Sequence, residues 1–223
     1  MKTMKKKKFV KNVKETTSKY NTLELKIVED KDEIKEYKTT EILNSVICGD
    51  AFKVLKKIQK EIFDMVFIDP PYFLQLSNKE LKRWNVKTVV NGVNDEWDKF
   101  SSFEEYDEFI TTLLKEVKHV MKKSATLWII STYHSIFRIG KILQDLGYWI
   151  LNDVIWVKTN PMPNWLGVRF TNATETLIWT TKDKNVKKYT FNREYAKLFG
   201  FGKTGTNVWV LPICSGSERL KDE

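Results

Sequence analysis

Asp69-Pro70-Pro71-Tyr72 is the segment of this chain whose residue types and order suit chemistry. It directly follows an apolar run, MVFI at 65–68. Open α/β sheets bind ligands just past the carboxyl ends of their strands, which is where this turn would stand. Proline fixes φ and lacks an N–H, so two in succession make a stiff, extended corner. The Pro70 carbonyl then has no helical or sheet partner and can accept a hydrogen bond from a ligand. Asp69 offers a second acceptor, and Tyr72 offers a ring face for a planar heterocycle. Two acceptors beside a stacking ring suit an exocyclic –NH2, a poor nucleophile because its lone pair is delocalised. With Asp69 taking one N–H and the Pro70 carbonyl the other, the nitrogen can pyramidalise and aim its lone pair at an electrophilic methyl. Those bonds favour the transition state over the ground state. No strong general base is needed, in keeping with a chain of two histidines. The plainer alternative is a strand-to-loop turn in which Asp69 caps and the prolines only stiffen.

The elements that must hold this corner read as α/β. A short strand is expected at 23–28, another at 46–48, and a helix over 51–58 carrying Phe52, Leu55 and Ile58 on one face. The run at 65–68 is apolar throughout, as in a buried parallel strand. Residues 73–101 are polar and loop-like. The spacing of Phe103, Tyr106, Phe109, Ile110, Leu113, Leu114 and Val117 predicts a helix over 102–120, capped by Ser102. A strand at 126–131, a helix at 134–146 ended by Gly147, and strands at 148–157 and 175–181 follow. This alternation predicts a parallel sheet with helical crossovers. Trp128, Trp149, Trp156 and Trp179 are expected in the core. His119 reads as a surface group, and His134 as either a helix-start residue or one facing the site. Asp95, Glu96 and Asp98 lack the context of metal ligands and read as loop, so no metal is expected. The glycine-rich stretch at 200–206 has Lys197 where a phosphate-binding loop requires glycine, and no buried strand precedes it.

Composition narrows the class. A length of 223 residues suits one domain, or one with an appendage, and 42% hydrophobic content excludes wholesale disorder. Cys48 and Cys214 are too few for a disulfide framework or a cysteine-held zinc, and are expected to be reduced thiols. No apolar run approaches the ~20 residues that span a bilayer, and the basic start has no apolar stretch behind it. A cytoplasmic protein without a membrane partner is expected. The net charge of +9 is uneven: residues 1–20 contribute +7 and residues 158–203 contribute +6. The first stretch reads as part of a basic arm over 1–40. In the second, basic residues interleave with Trp165, Phe170, Tyr189, Phe191 and Tyr195, the texture of a nucleic-acid surface.

Several blocks carry a family resemblance: FIDPPYFLQL at 67–76, DEWDKF at 95–100, the run from LWIISTYH to KTNPMPN over 127–164, RFTNATETLIW at 169–179, YTFN at 189–192 and VWVLPICSGSERLKDE at 208–223. Together they resemble the β-class adenine-N6 DNA methyltransferases of the HinfI and CcrM type, whose target is GANTC. The resemblance runs collinearly from about Ser45 onward, with Phe73 standing where many relatives have Asn.

The resemblance implies a class I S-adenosylmethionine-dependent methyltransferase fold with a Rossmann-like α/β sheet, incomplete in this chain. Asp69, Pro70, Pro71 and Tyr72 would be catalytic, with Tyr72 stacking on a flipped adenine of double-stranded DNA. Asp50, Ala51 and Phe52, with Asp69, would contact S-adenosyl-L-methionine. Lys158, Asn160, Asn164, Arg169 and Asn172 would face DNA. The catalytic portion would span 41–182, and the target-recognition region 183–223. In the family, a glycine-rich cofactor loop belongs to a half that follows this region. Either a second polypeptide supplies that half, or the chain is a truncated fragment with little activity alone; a homodimer is left open. The competing readings are a catalytically inactive DNA-binding fragment and an RNA amino-methyltransferase.

Overall fold

The computed structural model describes residues 26–74, 81–82, 89–90, 96–164, 167–197 and 205–214. Residues 26–62 with Cys214 form one unit and 63–213 a second.

In the first unit, β1 (Lys26–Glu29), α1 (Thr39–Ile42), β2 (Ser45–Cys48) and α2 (Ala51–Lys57) follow one another. The two strands pair in parallel, from Lys26 with Ser45 to Glu29 with Cys48. Asp30 knits the unit together: its Oδ1 accepts from the Tyr37 hydroxyl at 2.6 Å and the Lys57 ammonium at 2.9 Å. Gly49 is needed at the strand end, because a Cβ there would lie 2.6 Å from Cβ of Asp30. The expected strand at 23–28 is β1, shifted to Lys26–Glu29. Residues 26–40, read from sequence as part of a basic arm, thus belong to a folded unit in which Tyr37 is buried. Positions 1–25 lie outside the described residues.

The second unit contains β3 (Phe63–Ile68), the short pair β4 (Leu81–Lys82) and β5 (Val89–Val90), and a 3-10 turn at Glu96–Asp98. Then come α3 (Phe103–Val120), β6 (Met121–Ser131), α4 (Ile136–Asp145), β7 (Trp149–Lys158), β8 (Thr174–Thr181), α5 (Arg193–Ala196) and β9 (Val208–Leu211). Among the described residues, the main sheet has the order β3-β6-β8-β7-β9. The all-parallel expectation is corrected here. β3 runs parallel to β6 and β7 parallel to β9, but β8 is antiparallel to both its neighbours. The reason lies in the connections: α3 lies between β3 and β6 and permits a parallel crossover, whereas β7 and β8 are joined by the 159–173 loop and form a broad hairpin. The sequence boundary at 182/183 is not a break in the fold, since β9 lies beyond it and pairs with β7 in the same sheet.

Helix α3 starts where expected: Ser102 Oγ accepts the Glu105 N–H, and the helix buries Tyr106, Ile110, Leu113, Leu114, Val117 and Val120. Arg138 of α4 donates to both carboxylate oxygens of Asp107 on α3, and its guanidinium lies 4.4 Å from the centre of the Phe103 ring. On one sheet face, Ile130, Val154 and Leu177 form a cluster covered by Trp128, Trp156 and Trp209. Trp128 stacks on Trp179 at 5.1 Å and on Trp209 at 5.8 Å. Trp149, expected in the core, is 54% exposed because it opens β7 on the solvent side. Cys48 and Cys214 are exposed and form no disulfide among the described residues. Among the described residues, no helix is long and apolar enough to cross a membrane.

The end of α4 follows the αL termination rule. Gly147 has φ 73°, its N–H donates to the Gln144 carbonyl, and the Tyr148 N–H donates to the Leu143 carbonyl. A Cβ at Gly147 would meet nothing closer than 3.8 Å, so substitution should cost only backbone strain. Gly147→Ala is expected to destabilise the protein by about 1–2 kcal/mol, read as a lower urea midpoint with unchanged m-value; no midpoint shift would refute this account of the cap.

Candidate active site

Strand register collects the candidate residues at one edge of the main sheet. Ile68 pairs with Ile129, Ser131 with Thr176, and Trp156 with Glu175. The carboxyl ends of β3, β6 and β7 and the start of β8 therefore share an edge. Asp69 leaves β3 there, Thr132 to Ser135 leave β6, Lys158 ends β7, and Glu175 opens β8.

Within the turn, Asp69 is exposed and Pro70 is buried. Among the described residues, no hydrogen-bond donor reaches the Pro70 carbonyl. Its neighbours are all committed. The Pro71 carbonyl accepts from the Tyr106 hydroxyl at 2.9 Å. The N–H groups of Phe73 and Leu74 donate to Asp98 at 2.8 and 3.1 Å. The Tyr72 hydroxyl donates to Glu175 Oε2 at 3.3 Å, while Oε1 of the same carboxylate pairs with the Lys158 ammonium at 2.6 Å. Tyr72's ring makes no aromatic contact among the described residues.

These contacts set the protonation of the turn. Burial pushes the Tyr72 phenol far above its ordinary pKa; the Glu175 charge, then the Asp69 carboxylate by hydrogen bond and by charge, push it further the same way. Tyr72 thus stays a neutral ring donor. Burial likewise raises Tyr106 to about 12, with the Ser135 hydroxyl pulling the other way. His134 stacks on Tyr133 with centroids 4.1 Å apart, and burial followed by the Arg169 charge lowers its pKa.

The other candidate residues have distinct placements. In the first unit, Asp50 caps α2 by accepting the Lys53 N–H at 3.0 Å, Ala51 is exposed and Phe52 half-buried. Lys158 was read as a DNA contact; in the structure its ammonium is engaged by Glu175, and its side chain is only 12% exposed. Asn160 bridges both polar groups of the Ile213 backbone, at 3.3 and 2.7 Å, and Asn164 donates to the Arg169 carbonyl at 2.8 Å. These two side chains shape the 159–173 loop. Arg169 donates to the Tyr133 hydroxyl at 2.9 Å, and Asn172 and Phe170 are exposed. Asp95, Trp165 and the glycine-rich 200–204 lie outside the described residues. His119 is exposed at the end of α3.

Sequence reasoning missed Tyr106, Asp98 and Glu175. Tyr106 looked like one more apolar position of its helix, and its hydroxyl was the overlooked signal. Asp98 was weighed only as a metal ligand. Glu175 had no motif to mark it.

The comparisons with known proteins join this geometry. Residues 63–223 match a family described as DNA methylase, covering adenine-N6 and cytosine-N4 types by its name. The chain belongs to this DNA methylase family. It is similar to the Type II methyltransferase M.HinfI of Haemophilus influenzae, 46% identical over 183 residues that make up 82% of this chain and 50% of the relative. It is also similar to the Type II methyltransferase M2.LlaDCHI of Lactococcus lactis subsp. cremoris, 36% identical over 174 residues, or 78% of this chain and 64% of the relative. The chain thus spans about half the length of the first and under two thirds of the second. The solved structure of the PvuII DNA methyltransferase, described as cytosine-N4-specific, matches with a TM-score of 0.51 at 15% identity, covering 74% of this chain and 56% of that one. The chain therefore has the Rossmann-like α/β fold of S-adenosylmethionine-dependent methyltransferases.

The raised Tyr106 pKa makes a stability prediction. The folded state holds the phenol's proton more tightly, so this contribution is present below pH about 10 and disappears as pH climbs through about 12. Tyr106→Phe should lower stability near neutral pH by about 1 kcal/mol through the lost bond to Pro71. Because the variant has no phenol to ionise, the wild type should lose roughly 2–3 kcal/mol relative to it on crossing that alkaline window, so that the gap closes and changes sign. Denaturant titrations at stepped pH would show it; a constant gap would refute the role given to Tyr106.

Proposed function

We propose that this chain carries the target-base portion of an S-adenosylmethionine-dependent DNA methyltransferase acting on adenine N6 in GANTC-like sites of duplex DNA. The observation that carries the reading is the exposed Asp69 beside a Pro70 carbonyl that no described donor satisfies. An acceptor with no protein donor is free to take one from a ligand. A ligand amine hydrogen would satisfy it.

The chemistry belongs to the turn. Asp69 accepts one amino hydrogen of a flipped base and the Pro70 carbonyl accepts the second. The nitrogen pyramidalises, and its lone pair points away from the protein acceptors. The Tyr72 ring lies against the base while its hydroxyl is tethered to Glu175. S-adenosylmethionine, when bound, supplies the electrophilic methyl. Once alkylated, the nitrogen becomes acidic and sheds its proton to Asp69 or to water.

Asp50, Ala51 and Phe52, together with Asp69, are the residues we assign to the cofactor. The fit is chemical: Asp50 spends one oxygen on its helix cap and keeps a second acceptor for a hydroxyl or amine, and Phe52 offers a partly covered ring. Asn160, Asn164, Arg169 and Asn172 lie on one loop and are assigned to DNA. Lys158 is assigned there only where a phosphate displaces Glu175 from its ammonium, since the pair itself is neutral. Strand β3 lies at the edge of the main sheet, with Met65 57% and Phe67 53% exposed. Among the described residues an apolar edge of this kind suits a further strand, which we assign to the glycine-rich cofactor-loop half of the fold.

Two outcomes are expected. Asp69→Ala, at an exposed position, should leave circular dichroism unchanged and abolish tritiated-methyl transfer to a GANTC duplex by the reconstituted enzyme. Wild-type turnover in that variant would end the mechanism. Methylation of cytosine in place of adenine, or of structured RNA in preference to duplex DNA, would redirect the substrate. Calorimetry on residues 1–223 should show weak S-adenosylmethionine binding; tight stoichiometric binding would refute the assignment of further cofactor contacts to a strand beside β3.

A further inference from the structure

Phe73, the residue after Tyr72, has φ 49°, in the left-handed region that bulky side chains disfavour. Its ring is held by Phe100, Phe103 and Tyr106, with centroids 5.5, 5.3 and 5.6 Å away. Ring packing fixes the side chain but leaves the peptide planes free to rotate. Those planes are fixed by Asp98, whose Oδ1 accepts the Phe73 N–H at 2.8 Å and whose Oδ2 accepts the Leu74 N–H at 3.1 Å. Asp98 is 7% exposed, and among the described residues it takes part in no ion pair. A buried carboxylate lacking a cation is tolerated only where hydrogen bonds satisfy it. Both of its oxygens are spent on this one turn.

We propose that Asp98 is a positioning residue for the reaction. It acts through the Phe73 and Leu74 amides to fix the peptide planes that follow Tyr72, while Tyr106 fixes the Pro71 carbonyl just before it. The Pro70 carbonyl and the Tyr72 ring thereby keep the directions they need toward a bound base. The 3-10 turn at Glu96–Asp98 brings this carboxylate under the catalytic corner from 24 or more residues away. The inference rests on the function proposed above, but its grip on the turn can be measured without any turnover.

Amide hydrogen exchange on the full chain and methyl-transfer kinetics on the reconstituted enzyme test it. In the wild type, the Phe73 and Leu74 amides should exchange about 100-fold slower than unstructured amides. Asp98→Asn keeps size and one acceptor but sets an NH2 against the second N–H. It should lose about tenfold of that protection at both amides while β6 keeps its own, and kcat should fall about tenfold or more with KM for duplex DNA within about threefold. Fast exchange of both amides in the wild type overturns the proposal without any variant. So does an Asp98→Asn protein that keeps the protection, or one that loses it with kcat unchanged. Slow wild-type amides in an enzyme that transfers no methyl to DNA would instead overturn the function, and the exchange data would still judge the hold of Asp98.

Discussion

Among the described residues, one carbonyl of the corner has no donor while the groups that follow it are all held. Along the corner, the Pro71 oxygen is held by Tyr106, the next two amides by Asp98, and the Tyr72 hydroxyl by Glu175. Each hydrogen bond removes a way for the turn to fold back on itself. Di-proline alone would stiffen the chain without deciding which oxygen stays available. The choice is made by side chains from a long helix, a short 3-10 turn and the first residues of a strand, which is why the site depends on the whole second unit rather than on a tetrapeptide.

The arrangement also explains what was legible beforehand. Elements with a strong period were readable: the apolar stripe of α3, its Ser102 cap and the glycine after α4 carry local signals that tertiary packing merely uses. Strand direction was not readable, because the apolar runs of β7 and β8 look the same whether paired parallel or antiparallel. Only the connection decides, and here a loop joins them. Short β9 was missed because its VWVL is four residues long and gains its place by pairing with Ile155 to Lys158. The corner itself was legible from residue chemistry. Its supports were not, since a helical tyrosine, a loop aspartate and an opening-strand glutamate acquire meaning only from what they face.

Electrostatics adds a second layer. Glu175 stands between a phenol and an ammonium at the base of the 159–173 loop, so a group belonging to the catalytic corner and a group belonging to the loop share one carboxylate. Desolvation keeps this trio from behaving as a surface ion pair, since both charged side chains are largely covered. The positive charge counted in sequence as a polyanion contact is thus partly internal currency of the fold.

The chain between β8 and β9 has its own consequence. It departs from the sheet at Thr181 and is back beside β7 by Val208, where the Asn207 side chain grips the Asp153 carbonyl and Asn160 grips Ile213. Between those points Tyr189 and Phe191 rest their rings on Trp179 of β8. Lengthening a flexible excursion with fixed stems costs little, roughly 0.6 kcal/mol for each doubling. Insertions away from those two rings should therefore leave the sheet that aims the corner as it is: an extensible module grafted onto a fixed chassis.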